Sequence, residues 1–350
     1  MQQYNLTQSL INPDPHELDA VLLHRHFRER IKQSFILLVQ EVAKTLKKDY
    51  EAPLAFLKQI NSDKRYSVRV FYSYYSLLAY IANNDIRACE KFCDSLCSSL
   101  TYKNIYNNHL FIKTVHDEDW EKNFSRDMLP KGELKFEKLD ENELAYCKKN
   151  VLEAIEVIKQ SSPEMGVEFS DHTSLIYLPK GSIASYIAGS GVKYFGVLSI
   201  TSPRSEYDPL LYFFDLIVHE LSHMHLNIIM GLDSVILNDA SERYFSPAKI
   251  ELRPMKGIFH AHFVFYRLIY MYLKAGKVFN PKNKPLSKNI SIEELDANIA
   301  MLPWEYKRRL LVWIHKFKQG EEIIVKHAKL TKIGEQLFEK MSENFLKMIN

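Results

Sequence analysis

Asp208-Pro-Leu-Leu-Tyr-Phe-Phe-Asp-Leu-Ile-Val-His219-Glu220-Leu221-Ser222-His223-Met-His225-Leu-Asn-Ile-Ile-Met230-Gly231 is the stretch on which the reading of this chain turns. Asp at a cap position and Pro in the first turn start a helix there. Leu210, Phe213, Phe214, Ile217, Leu221, Met224 and Ile228 recur at helical spacing and give it an apolar face. Gly231 is a natural stop. His219 and His223 are four residues apart, so they share a face, one turn from each other. Two imidazoles in that relation reach one divalent ion. Glu220 sits about 100° round the helix, where a carboxylate can touch a metal-bound water. His225 points elsewhere and reads as structural.

Upstream of this helix the pattern is β. Ser174–Leu178, Ser182–Ile187 and Tyr194–Ile200 read as strands, with Gly189-Ser190-Gly191 as a turn. The β signals span residues 167–203. Glu141 to Gln160 reads as a helix ended by Ser161-Ser162-Pro163. Earlier still, His16 to Lys47 carries Leu18, Val21, Leu22, Phe27, Ile31, Phe35, Leu38 and Val42 at helical spacing. Tyr66 to Leu100 continues as one or two Tyr- and Phe-rich helices. The polar stretch His116–Lys138, with Pro130-Lys131-Gly132 inside it, is the best linker candidate. Downstream, Arg253-Pro254 opens a helix to about Lys274, and further helices fill 291–348. The fold class expected is α+β, mainly helical. A helical N-terminal region, residues 1–130, suited to substrate recognition, precedes a metal-binding catalytic domain, residues 131–350, with a small sheet.

Composition narrows the function classes. The chain has 350 residues, 46% hydrophobic and 25% charged, which is the make-up of a globular protein. Lys plus Arg number 46 against 43 Asp plus Glu, with no strong basic block, so nucleic acid is not an expected partner. Neither a secretory leader nor an apolar run of about 18 residues is present, so no membrane association and a cytoplasmic location are expected. Cys89, Cys93 and Cys97 fall on one helical stripe and read as small hydrophobes facing the core, with Cys147 elsewhere. Reduced thiols fit the same compartment.

A metal on His219 and His223 needs further ligands. Glu242, Glu251, His260 and His262 all lie within reach along the chain, and spacing alone does not choose among them. Asp171-His172 is another ligand-type pair, read by default as a loop hydrogen bond. Ser246-Pro247 followed by Arg253-Pro254-Met-Lys-Gly257-Ile-Phe-His260 resembles a bacterial HExxH family encoded beside peptide natural-product genes. Members of that family look like iron- and 2-oxoglutarate-dependent peptide β-hydroxylases. The resemblance covers about residues 190–270. It implies His219, His223 and His260 as metal ligands, and Arg253 as a grip for the co-substrate carboxylate, by its bidentate fork. It implies Fe(II) and 2-oxoglutarate as cofactors and a ribosomally made precursor peptide as substrate. Between Pro247 and Arg253 this chain reads Ala-Lys-Ile-Glu-Leu, without the Trp-Arg and Asp-Pro residues of the family pattern.

The rival is a zinc metallopeptidase with Glu220 as general base. There, Tyr244 or His262 would steady the oxyanion. The strand preceding the helix would be the edge on which an extended peptide adds. A third reading is non-enzymatic: a helical interaction protein whose Tyr-rich helices form a contact face.

Overall fold

The computed structural model describes residues 6–101, 104–106, 109–114, 119–128, 137–180, 188–280 and 305–349. The expected strand at 182–187 and residues 291–304 of the expected C-terminal helices lie outside the described residues, as do residues 116–118 and 129–136 of the expected linker. Helices α1 (Leu6–Leu10), α2 (Glu17–Leu46), α3 (Glu51–Gln59), α4 (Val68–Ala82) and α5 (Ile86–Ser99) form the N-terminal region. Along α2 the buried stripe is Leu23, Phe27, Ile31, Phe35, Val39 and Val42. Leu18 and Val21, expected in it, are 57% and 45% exposed. Polar residues take the inner face at this end instead. Asp19 is buried because Ser9 and Asn12 donate to its carboxylate, and His24 and Arg28 turn inward one and two turns later. Cys89 and Cys93 are buried while Cys97 is exposed, and none of the four cysteines is in a disulfide.

Strand β1 (Phe111–Lys113) is followed by α6 (Asp119–Met128), a helix inside the stretch read as a linker. Phe124 explains it: the ring is buried among Tyr177, Tyr194 and Val197. Helix α7 (Glu141–Ser161) starts on a capping box between Asp140 and Glu143. Pro163 does not merely end α7. It occupies the first turn of α8 (Pro163–His172), with Ser162 as cap accepting from Met165 N at 3.3 Å. Part of the segment expected to be β is therefore helix.

Strands β2 (Leu175–Tyr177), β3 (Ala188–Gly189) and β4 (Val197–Ile200) complete a sheet in the order β1-β2-β4-β3. β1, β2 and β4 are parallel, with Leu175 opposite Val197, and β3 is antiparallel with Ala188 opposite Ile200. Gly196 enters β4 at φ +97°, and a Cβ there would stand 2.8 Å from Ser174 Oγ, so the position needs glycine. β4 is buried throughout and lies inside the sheet. The strand before the His219–His223 helix is therefore not an edge; β1 and β3 are the edges of this sheet.

α9 (Pro209–Leu232) follows, capped by Asp208, which accepts from Leu211 N at 3.1 Å. It runs through Gly231 to a cap at Asp233. Gly231 permits close approach rather than a stop: a Cβ there would lie 2.5 Å from the Phe27 ring of α2. An antiparallel hairpin, β5 (Tyr244–Ser246) with β6 (Glu251–Arg253), leads into α10 (Met255–Lys274) and the short α11 (Gly276–Phe279). The chain closes with α12 (Tyr306–His327) and α13 (Lys332–Ile349). One apolar cluster runs from Leu10 and Phe27 through Ile217 and Phe263 to Phe345. The protein is thus a mainly helical α+β fold. Among the described residues no helix is long and apolar enough to cross a membrane.

Candidate metal centre

α9 is buried on most of its circumference, and its exceptions mark the site. His219 and His223 are only partly buried, as is His260 on α10, while Glu220 between the pair is buried. The His219 and His223 rings stand 4.9 Å apart and those of His223 and His260 5.5 Å apart. His223 Nδ1 and His260 Nδ1 are 3.3 Å apart. Two nitrogens each about 2.1 Å from one ion are separated by about 3.0–3.4 Å for octahedral or tetrahedral angles, so this pair already has a ligand separation. His219 is one turn back along α9. The described groups whose ligand atoms all lie within 4.8 Å of one another do not include these three together. His260 Nε2 faces Met230 Sδ at 3.1 Å.

Loss of water around the rings keeps all three imidazoles unprotonated. Burial pushes His219 down to about 3, helped by Lys249 and Arg309. Burial, His219, Lys249 and Arg253 lower His223, and burial, His223 and Lys256 lower His260. A neutral imidazole is the form that binds metal. Burial pushes the Glu220 carboxyl up to about 7, against the Ser190 hydrogen bond and the Lys249 charge. Ser190 Oγ donates to Glu220 Oε2 at 2.7 Å. Ser190 directly follows β3, so the sheet edge positions the partner of the one acid in the motif.

The wall behind the pair is set by Asp215, one turn before His219. Its buried carboxylate accepts from the Tyr272 hydroxyl at 2.5 Å, Trp313 Nε1 at 3.0 Å and Arg309 Nη2 at 3.2 Å. This pins α10 and α12 to α9 and sets the Trp313 ring 6.4 Å from His219. On the other side stands the hairpin. Arg253 lies at the end of β6 and pairs with Glu251 at 3.0 Å, and Lys249 sits in the turn between the strands. The surroundings are thus neutral imidazoles and cations, with Glu220 as the acid of the motif.

The other ligand candidates are engaged elsewhere. Glu242 accepts from the Tyr244 hydroxyl at 2.5 Å and from Asn238 at 3.0 Å, and pairs with Lys329 at 3.4 Å. Glu251 serves Arg253. His262 is buried with its ring stacked on Phe317 at 4.1 Å, away from solvent. Tyr244 donates its hydroxyl to Glu242, while His262 is shut away from solvent with both ring nitrogens unpartnered. Lys249, Ser190, Asp215 and Met230 escaped the sequence reading. Only Ser190, inside its Gly-Ser-Gly turn, carried any local signal. A shallow depression of about 380 Å³, bordered by Lys113, Lys138, Glu141 and Lys148, shares no residue with the histidine cluster. No family model matches the chain, and no curated protein matches it.

Proposed function

We propose that this protein is a metal-dependent oxygenase: an Fe(II)- and 2-oxoglutarate-dependent hydroxylase of a side-chain carbon, the β-carbon, in a ribosomally made peptide. The observation that carries the reading is the meeting of His260 with His223 at ligand separation. It recruits the histidine of the Arg-Pro-x-x-Gly-x-x-His segment and leaves Glu242 with its own partners. A set of three imidazoles would hold such an ion without filling its coordination sphere, so that a chelating oxo-acid and O2 could also bind. In such a site His219, His223 and His260 would hold the iron. When bound, iron with 2-oxoglutarate and O2 converts C–H to C–OH, one oxygen atom entering the product and the other succinate, with release of CO2.

The chain's own residues then have separate tasks. Arg253 and Lys249 bring positive charge to the site and attract a dianionic co-substrate. Arg253 is the residue suited to gripping its far carboxylate, a role that requires it to exchange Glu251 for the ligand. Glu220, tied to Ser190, is placed to orient substrate or hold a proton. Asp215 keeps the Trp313 wall fixed. Incubation with Fe(II) and 2-oxoglutarate is expected to give succinate even without peptide, and His260→Ala is expected to stop it. Peptide cleavage by the zinc-loaded protein without succinate would replace this reading with the metallopeptidase. One observation favours that second reading: the edge strand β3 ends beside Glu220, where an extended peptide could pair and the carboxylate could act as base.

A further inference from the structure

The inner side of α9 carries ligand-type side chains that the reading above does not use. His225 is 2% exposed, and Glu168 and His172 of α8 are 0% and 1% exposed. One donor atom from each of these three residues lies within 4.8 Å of the other two. Glu168 Oε1, His172 Nε2 and His225 Nδ1 have no hydrogen-bond partner. A bare polar atom in a dry core costs on the order of 1–3 kcal/mol, so three of them within one cluster call for an occupant.

Their orientation says what kind. His172 Nδ1 stands 3.3 Å from Asp171 Oδ2. Asp171 is in turn held by His24 and by Arg28, whose Nη1 is 3.6 Å away. A proton on Nδ1 toward that carboxylate leaves the Nε2 lone pair of His172 free, the arrangement that fixes a metal-binding imidazole. Arg267 Nη2 donates to Glu168 Oε2 at 2.7 Å, which fixes this carboxylate and leaves Oε1 open. His225 Nδ1 is 3.4 Å from Glu168 Oε2. The open acceptors are a carboxylate oxygen and imidazole nitrogens, which a cation would satisfy, while Arg267 Nε and Nη1 are open donors on the other side of the same ion pair. Arg28 and Arg267 already balance Asp171 and Glu168, so the ion must draw its affinity from imidazole nitrogen. That selects a zinc-like ion over calcium or magnesium, which favour oxygen.

We propose that Glu168, His172 and His225 form a buried site for a divalent zinc-like ion that ties α8 to α9. The site rests on no part of the oxygenase reading. The His24 ring, 4.8 Å from that of His172 with its own Nε2 unpartnered, is a further imidazole beside it. A metal here is enclosed on every side, acquired as the chain folds and slow to leave.

The test uses the full chain carrying His219→Ala, His223→Ala and His260→Ala, so that the partly exposed cluster no longer contributes. Expressed in zinc-supplemented medium and dialysed against chelator, this variant is expected to keep about one zinc per chain. A zinc content near zero would overturn the site. Adding Glu168→Gln, which still gives Arg267 an acceptor, is expected to lower the retained zinc at least about tenfold. An unchanged content would likewise overturn it. Should that variant fail to fold by circular dichroism, zinc-edge X-ray absorption of the parent variant decides. Imidazole and oxygen ligands support the site, and sulfur ligands, which would come from cysteine, refute it.

Discussion

His223 and His225 are two residues apart on one helix, yet their rings meet opposite surroundings. His223 is partly exposed, faces His260 at 3.3 Å and has the cations Lys249 and Arg253 nearby. His225 is enclosed among His172, Phe263 and the Glu168–Arg267 ion pair. On the outer face the imidazoles contact chiefly one another and Met230, contacts that a ligand could replace. The inner face binds its carboxylates to buried arginines, and those pairs hold α8, α9 and α10 in register. A 200° turn along the helix thus separates a half-open cluster of imidazoles from an enclosed one braced by ion pairs.

That contrast can be broken most sharply on the outer face. His223→Ala is expected to abolish Fe(II) binding there while shifting unfolding free energy by no more than about 0.5–1 kcal/mol, as for a partly exposed residue with few contacts. Metal analysis of chelator-treated protein reloaded anaerobically, with urea unfolding alongside, reads both. The inner face should answer the other way. Arg267→Met removes the buried cation that donates to Glu168 Oε2, and a loss of about 3–5 kcal/mol is expected in the same urea titration. Equal stability losses at the two positions would erase the distinction. A smaller effect is expected at the packing that holds the helix in place. Gly231→Ala pushes a methyl group against the Phe27 ring and should cost about 1–3 kcal/mol. Smallest is the cap: Asp208→Ala removes the acceptor for Leu211 N and should cost about 1 kcal/mol, without changing metal affinity. Thermal melting followed by circular dichroism resolves both.

How much of this the sequence discloses depends on the range of the interaction. α9 and α10 are legible because caps, apolar spacing and the His pair all act within a few residues. α8 is misread because Pro163 ends one helix and starts another, and only the Ser162 cap, a single hydroxyl, distinguishes these outcomes. The edge of the sheet is misplaced because a run as apolar as Val197–Ile200 says that a strand is buried but not which neighbours bury it. The β5–β6 hairpin escapes notice because its strands are three residues long and its turn uses Ile250 at φ 54° rather than glycine or asparagine. On the outer face His219, Glu220 and His223 are visible as a motif, while Lys249 and Asp215 have none. The inner cluster shows in the sequence only as the Asp171-His172 pair, for a plainer reason. Its members come from α2, α8, α9 and α10, and only the tertiary fold brings His24, Glu168, His225 and Arg267 together.

The most direct measurement of the central claim is the visible charge-transfer band that Fe(II) and 2-oxoglutarate produce when both bind one site, recorded anaerobically. The band is expected in the unaltered chain and in Glu242→Ala, and is expected to be lost in His260→Ala. A band that survives in His260→Ala, or one that vanishes in Glu242→Ala, would contradict the assignment of His260 as the ligand that completes the centre.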